Sequence, residues 1–272
     1  MMSVDGRKFK VQSCGPPSVT SGVDPTRPTP VVLTIAGSDS SGGAGLQADL
    51  RTFATFDVHG MSVITALTAQ RAGRVLAMEP ARSRMIQQQL EAAFADGRVG
   101  AAKTGMLATR RTVELVAEWW QGRDRPPLVV DPVLDSTSGT PLLEAGALHV
   151  LKTRLLPRAV LITPNSPEAS RLTGRPIRTR AAMARVAREL HEQLGCAVLL
   201  KGGHIAGRIC ADVFYDADGE VWFESTRWKG ASRPGTGCRL SAAIAAGLAR
   251  GVTLKAAIVP AREYVLQYLR GG

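Results

Sequence analysis

Residues 31–50 read Val-Val-Leu-Thr-Ile-Ala-Gly-Ser-Asp-Ser-Ser-Gly-Gly-Ala-Gly-Leu-Gln-Ala-Asp-Leu. The run over 31–36 is essentially apolar, the pattern of a strand buried on both faces. A Gly/Ser loop follows, and then Leu46, Leu50 and Phe53 recur at helical spacing. Outward from this strand–loop–helix unit the same beat continues. A second strand is expected over 61–69 and a helix over 80–95. Further strands are expected at 99–103, 127–131, 159–163 and 197–200, with helices near 108–121, 142–155, 166–173 and 179–194. Such alternation implies an α/β fold: right-handed crossovers and a mostly parallel central sheet with helices on both faces. Residues 210–216 and 220–224, joined through Asp218-Gly219, read as a small antiparallel hairpin. Helices at about 237–250 and 253–269 close the chain.

The 272 residues suit a single domain over 30–272, behind a flexible leader over 1–29 rich in Ser, Pro, Gly and Thr. Apolar residues make up 44% and charged residues 21%, which excludes a disordered chain. No apolar run reaches the roughly 18 residues a membrane span needs, and no compact signal-type segment opens the chain. A cytoplasmic protein without a membrane partner is expected. The net charge is +11, yet the basic residues lie in small scattered groups such as Arg110-Arg111, without interleaved aromatics. No nucleic-acid partner is expected either. Cys14, Cys196, Cys210 and Cys238 form no CxxC pair and no zinc spacing with the four histidines. Cys196 and Cys210 read as small core residues beside strands.

Ligands of a parallel sheet bind beyond the C-terminal ends of its strands, so the segments after each strand carry the chemistry. After the first comes Gly37-Ser38-Asp39-Ser40-Ser41-Gly42-Gly43-Ala44-Gly45, where glycines let backbone approach a ligand; a plain tight turn is the competing reading. Asp131-Pro132-Val133 puts a carboxylate at a strand end. In Pro164-Asn165-Ser166-Pro167-Glu168, Asn165 and Glu168 have the spacing of a helix capping pair. Alternatively, Glu168 and Asp131 flank a hydrated Mg²⁺, which takes oxygen ligands and keeps most of its waters. Lys201-Gly202-Gly203-His204 offers a strand-end lysine suited to a polyphosphate. In Pro234-Gly235-Thr236-Gly237-Cys238 a Gly-Thr-Gly turn feeds a helix, so several free N–H groups converge in an anion hole. Cys238 falls in the first turn, where a helix dipole favours the thiolate.

Taken together, 33–50, 63–70, Gly105-Met106-Leu107, Asp131-Pro132-Val133, 163–169, 201–204 and 235–238 resemble the hydroxymethylpyrimidine/phosphomethylpyrimidine kinases, within the ribokinase-like superfamily. The resemblance runs from about Val31 to Tyr268. It implies ATP and Mg²⁺ as cofactors and phosphorylation of 4-amino-5-hydroxymethyl-2-methylpyrimidine and its monophosphate in thiamine biosynthesis. It implies a small-molecule substrate and a homodimer. In that family Gly37, Ala44 and Val133 would line the pyrimidine pocket, with Asp49 near the hydroxymethyl arm. Gln70 would pair with a ring nitrogen and the exocyclic amine, since an amide offers a donor and an acceptor. Met106 would pack on the ring face. Lys201 and Asn165 would serve ATP, and Gly235, Thr236, Gly237 and Cys238 would cradle the transferred phosphoryl group. Cys238 would take the hydroxyl proton.

The chain departs from the pattern at Pro234, where the resembling family usually has His or a similar residue, and at Arg239, where it usually has Thr. Arg71-Ala72 stands where Asn-Thr is common, and the chain stops at Gly272, before the family's Gly/His-rich ending. The rival readings are a pyridoxal kinase of the same Cys-type branch and a non-catalytic pyrimidine-binding domain. Gln70 argues against the first and the intact 235–238 turn against the second.

Overall fold

A computed structural model describes residues 28–71, 74–122, 124–136, 138–227 and 233–271. Nine strands form one sheet: β1 Val31–Asp39, β2 His59–Arg71, β3 Arg74–Pro80, β4 Val99–Thr104, β5 Leu128–Val130, β6 Leu161–Ile162, β7 Ala197–Leu200, β8 Ile209–Asp216 and β9 Gly219–Thr226. Their order is β3-β2-β1-β4-β5-β6-β7-β8-β9. The six strands from β2 to β7 in that order pair in parallel, and β2–β3, β7–β8 and β8–β9 pair antiparallel. Around them lie α1 Gly45–Thr55, α2 Ser83–Phe94, α3 Arg110–Trp119, α4 Ala147–Val150, α5 Ser166–Thr173, α6 Arg180–Leu194, α7 Thr236–Ala249 and α8 Leu254–Arg270.

The unbroken apolar strands now have their reason. Side chains alternate across a sheet, so burial on both faces leaves no polar phase. Leu33 and Ile35 belong to one core, with Ile86 of α2, Val113 of α3 and Leu190 of α6. Val32 and Val129 belong to the other, with Phe53 of α1, Ile244 of α7 and Ile258 of α8. Each fully buried Leu, Ile or Val contributes about 1.5–3 kcal/mol. Such side chains fill both layers, and they hold the helices on the sheet. The sheet winds outward from β1 in both directions, to β2 on one side and β4 on the other. A crevice therefore opens at the C-terminal ends of these strands, where ligands of doubly wound sheets bind.

The α/β architecture, the parallel centre and the hairpin through Asp218-Gly219 stand as expected. Two local readings differ. Residues 74–80 form β3, paired along β2 from Arg71↔Arg74 to Ala66↔Pro80, so the helix expected from residue 80 begins at Ser83. Pro80 fits there because an edge strand does not need its N–H. The helix expected over 142–155 is only a short turn, α4, continued by a wider π-helical turn at Leu151–Leu155. The N–H groups of Leu142 and Leu143 donate to Leu134 O, and that of Glu144 donates to Ala108 O, which removes these residues from any helix. The leader read over 1–29 lies outside the described residues as far as residue 27.

Candidate active site

Loop 40–44 is shaped by the carboxylate at the end of β1. Asp39 accepts from the N–H of Ser41 at 2.8 Å, from the Ser41 hydroxyl at 2.8 Å and from the N–H of Ala44 at 2.8 Å. Gly45 then turns into α1 with φ +56°, and a Cβ there would strike Gly37 O, so the left-handed turn requires glycine. Gly37 itself faces Met106, whose methyl group occupies the space a Cβ would take. The loop is tied to the β2–β3 hairpin: Ser40 Oγ accepts from Gln70 N–H at 2.8 Å and donates to Gln70 O at 3.1 Å.

At the other end of the crevice Asn165 and Glu168 form the capping box of α5. Asn165 Oδ1 accepts from Glu168 N–H at 2.8 Å, and Glu168 Oε2 accepts from Asn165 N–H at 2.7 Å. The capping reading is therefore realised, yet both residues also face the cavity. Lys201, at the end of β7, donates to Asp131 Oδ1 at 2.9 Å, and Thr163 Oγ1 donates to the same oxygen at 3.0 Å. Burial opposes the Lys201 charge, but Asp131 and Glu168 more than offset it and hold the ammonium above the ordinary lysine range. Burial pushes the Glu168 carboxyl up to about 7, against the pull of Lys201.

The Gly235 turn sits between these two ends. Gly235 caps α7 with φ +75°, and a Cβ would collide with Gly43 O. At Gly237 a Cβ would come within 3.0 Å of Lys201 Nζ and 3.4 Å of Asp131 Oδ2. The turn thus touches the β1 loop on one side and the Lys201–Asp131 pair on the other. All these groups line one cavity of about 930 Å³: Gly37, Ala44, Gln70, Met106, Val133, Asp131, Asn165, Glu168, Lys201, Gly235, Thr236, Gly237 and Cys238.

The matching family model, phosphomethylpyrimidine kinase, spans residues 39–272. The chain belongs to the phosphomethylpyrimidine kinase family. It is 45% identical over 238 residues to a hydroxymethylpyrimidine/phosphomethylpyrimidine kinase of Rhizobium meliloti, covering 87% of this chain and 89% of that protein. The phosphomethylpyrimidine kinase structure from Clostridium difficile superposes with a TM-score of 0.78 at 38% identity, over 88% of this chain and 99% of that one. A Staphylococcus aureus pyridoxal kinase in complex with AMP-PCP and pyridoxal gives 0.81 at 32% identity, over 88% and 87% of the two chains.

In this member of the phosphomethylpyrimidine kinase family, two readings from the sequence need correction. Asp49 does not line the cavity. It is wholly buried behind the wall, where its carboxylate accepts from Thr34 Oγ1 at 2.6 Å and from Lys103 Nζ at 3.0 and 2.9 Å. Cys238 does lie in the first turn of α7, but its thiol is not shifted toward the thiolate. Burial pushes it up to about 11, and the Lys103 ammonium and the Gly45 N–H only partly oppose that. Desolvation of a thiolate outweighs a helix dipole here.

Lys103 was missed from the sequence. A lysine closing the strand-like run Val99-Gly100-Ala101-Ala102-Lys103 was the available signal, because a charge inside a buried strand needs a partner. Burial opposes its charge as well, yet Asp49, Cys238 and Asp131 together hold Lys103 above the ordinary range. Cys196 fits its core reading: it is buried, and burial pushes its thiol up to about 12. Cys210 instead reaches the cavity wall, and Cys14 lies outside the described residues.

Proposed function

We propose that the protein is an ATP-dependent kinase acting on 4-amino-5-hydroxymethyl-2-methylpyrimidine and on its monophosphate in thiamine biosynthesis. The observation that carries the reading is the contact between the β1 loop and the Gly235 turn, which sets an acceptor pocket against an anion hole at a helix N-terminus.

In this reading the pyrimidine lies against Met106 between Gly37, Ala44 and Val133, with the Gln70 amide on its ring nitrogen and amine. Its hydroxymethyl oxygen faces Cys238 and the turn. The hydroxyl oxygen attacks the γ-phosphorus of ATP, the bond to the β-phosphate oxygen breaks, ADP leaves, and the hydroxyl proton passes to Cys238 Sγ in its thiolate form, the minor species of a thiol pushed up to about 11. N–H groups of residues 235–238 receive the charge on the transferred group. Lys201 and Asn165 hold the nucleotide, and Asp49 acts only by holding Lys103 in place.

Among the described residues no three His, Cys, Asp or Glu side chains gather as a metal cage. Asp131 and Glu168 nevertheless suit Mg²⁺, which is commonly held by one or two carboxylates together with waters and substrate phosphates. When bound there, the ion would neutralise charge on the β- and γ-phosphates. We further read residues 30–272 as one kinase domain, working as a cytoplasmic homodimer. Leu67 and Leu76 on the β2–β3 hairpin are 55% and 58% exposed, a surface that a second copy could cover.

The deciding experiment is a turnover screen with ATP against the hydroxymethyl pyrimidine, its monophosphate and pyridoxal. The first two should be phosphorylated. The likeness to a pyridoxal kinase makes pyridoxal the second acceptor, and preferential turnover of pyridoxal would replace the reading.

A further inference from the structure

Arg239 stands one residue beyond Cys238 and takes no part in the transfer step. It is only 6% exposed and does not line the cavity. Its Nη1 donates to Gly43 O at 2.9 Å and to Gly235 O at 3.3 Å, with Pro234 O at 3.5 Å. The guanidinium lies over the Tyr268 ring, 3.7 Å from its centroid. Tyr268 is fixed in turn, because its hydroxyl donates to Pro234 O at 3.1 Å and its carbonyl accepts from Arg233 Nη1 at 2.8 Å. One buried cation therefore ties the β1 loop, the Gly235 turn and the end of α8 together.

We propose that Arg239 is a positioning residue for phosphoryl transfer, its guanidinium fixing the distance between the acceptor-side loop at Gly43 and the anion turn at Gly235. The inference rests on the proposed reading that these two segments hold acceptor and transferred phosphoryl group. The physical demand is strict: misplacing reacting groups by about 1 Å costs on the order of 10²-fold in rate. A planar fork stacked on an aromatic ring meets that demand better than a flexible ammonium, since less freedom is lost per hydrogen bond.

The test uses the full chain with Arg239→Met, Arg239→Lys and Tyr268→Phe, each measured for kcat, acceptor KM, ADP affinity and melting temperature. ADP is the probe for the nucleotide half because it lacks the phosphoryl group that would reach the turn. Arg239→Met should lower kcat by about 10²-fold and raise the acceptor KM, with ADP affinity changed by less than about threefold. Arg239→Lys should fall between Met and wild type, and Tyr268→Phe, which keeps the ring under the guanidinium, should stay within about threefold of wild type. Wild-type kcat in Arg239→Met overturns the proposal, as does a loss of ADP affinity equal to the loss of kcat. If Arg239→Met does not fold, the lysine variant decides by the same split. A wild-type enzyme that phosphorylates no pyrimidine alcohol defeats the proposed function itself, a result separate from any property of these variants.

Discussion

The Lys103 ammonium grips the Asp49 carboxylate through both oxygens, at 3.0 and 2.9 Å, with both side chains wholly out of solvent. Beyond the upward push of burial, Cys238 feels this pair: Lys103 lowers its pKa and Asp49 raises it. A buried pair broken on one side leaves an uncompensated charge, at a cost of about 3–5 kcal/mol. Lys103→Met should therefore destabilise by that amount in a denaturant titration. The double variant Lys103→Met with Asp49→Asn should recover part of the loss, because no bare charge remains. Equal destabilisation by the single and double variants would rule the ion pair out as the cause.

Cys238→Ala removes the proton acceptor and leaves the backbone donors of the turn in place. Turnover should fall roughly 10²–10⁴-fold, as for loss of a general base, with binding of pyrimidine and ATP near normal. Wild-type turnover in this variant would make Cys238 a packing residue.

The thiol pushed up to about 11 has a consequence for pH. The thiolate is the reactive form, and its fraction rises with pH until that value is passed. Alkylation of Cys238 should accelerate about tenfold per pH unit from 7 to 10 and level off near 11, and bound pyrimidine should slow it. A plateau reached by pH 8 would show that the helix dipole wins over burial after all.

Glu168, raised to about 7, is largely protonated below that pH and ionised above it. Its ionised form is the one that would order the waters of Mg²⁺, so the Mg²⁺ concentration for half-maximal turnover should rise as pH falls through 7. Glu168→Gln should show the higher requirement at every pH. It should not lose melting temperature at pH 8, because Gln completes the same capping box and the ionised carboxylate that burial disfavours is gone. An unchanged Mg²⁺ requirement in the variant would leave Glu168 a helix cap alone.

Gln70 lies on the cavity wall with its backbone pinned by Ser40. Gln70→Leu should leave a ring nitrogen and an amine of the bound pyrimidine unpaired, weakening pyrimidine binding by roughly 1–3 kcal/mol. Calorimetric titration with pyrimidine and with ADP separates the outcomes. Equal weakening of both ligands would place Gln70 in the framework and not in the pocket.

What the sequence determined by itself is whatever depends on neighbours a few residues apart. Apolar runs such as 31–36 demanded strands buried on both faces. Asn165 and Glu168, three apart, closed their capping box, and Asp218-Gly219 turned its hairpin. Gly235-Thr236-Gly237 opened a helix with free N–H groups. The cavity wall was legible for the same reason, since it is assembled from strand ends that each carry a local signature. Strand β3 was not legible: Arg74–Pro80 lacks a burial pattern of its own and exists through its ladder to β2. Nor was the fate of single charges. Asp49 could be assigned to the substrate until Lys103, 54 residues away, was seen to hold it. Cys238 could be read as a thiolate until its surroundings were known, and Arg239 only as a departure from the family pattern until Gly43 and Tyr268 closed around it. Hydrogen bonding within a turn, a cap or a helix is a short-range matter that residue types record locally. Desolvation and charge pairing act through space, and only the folded chain decides which groups lose their water and which partner replaces it.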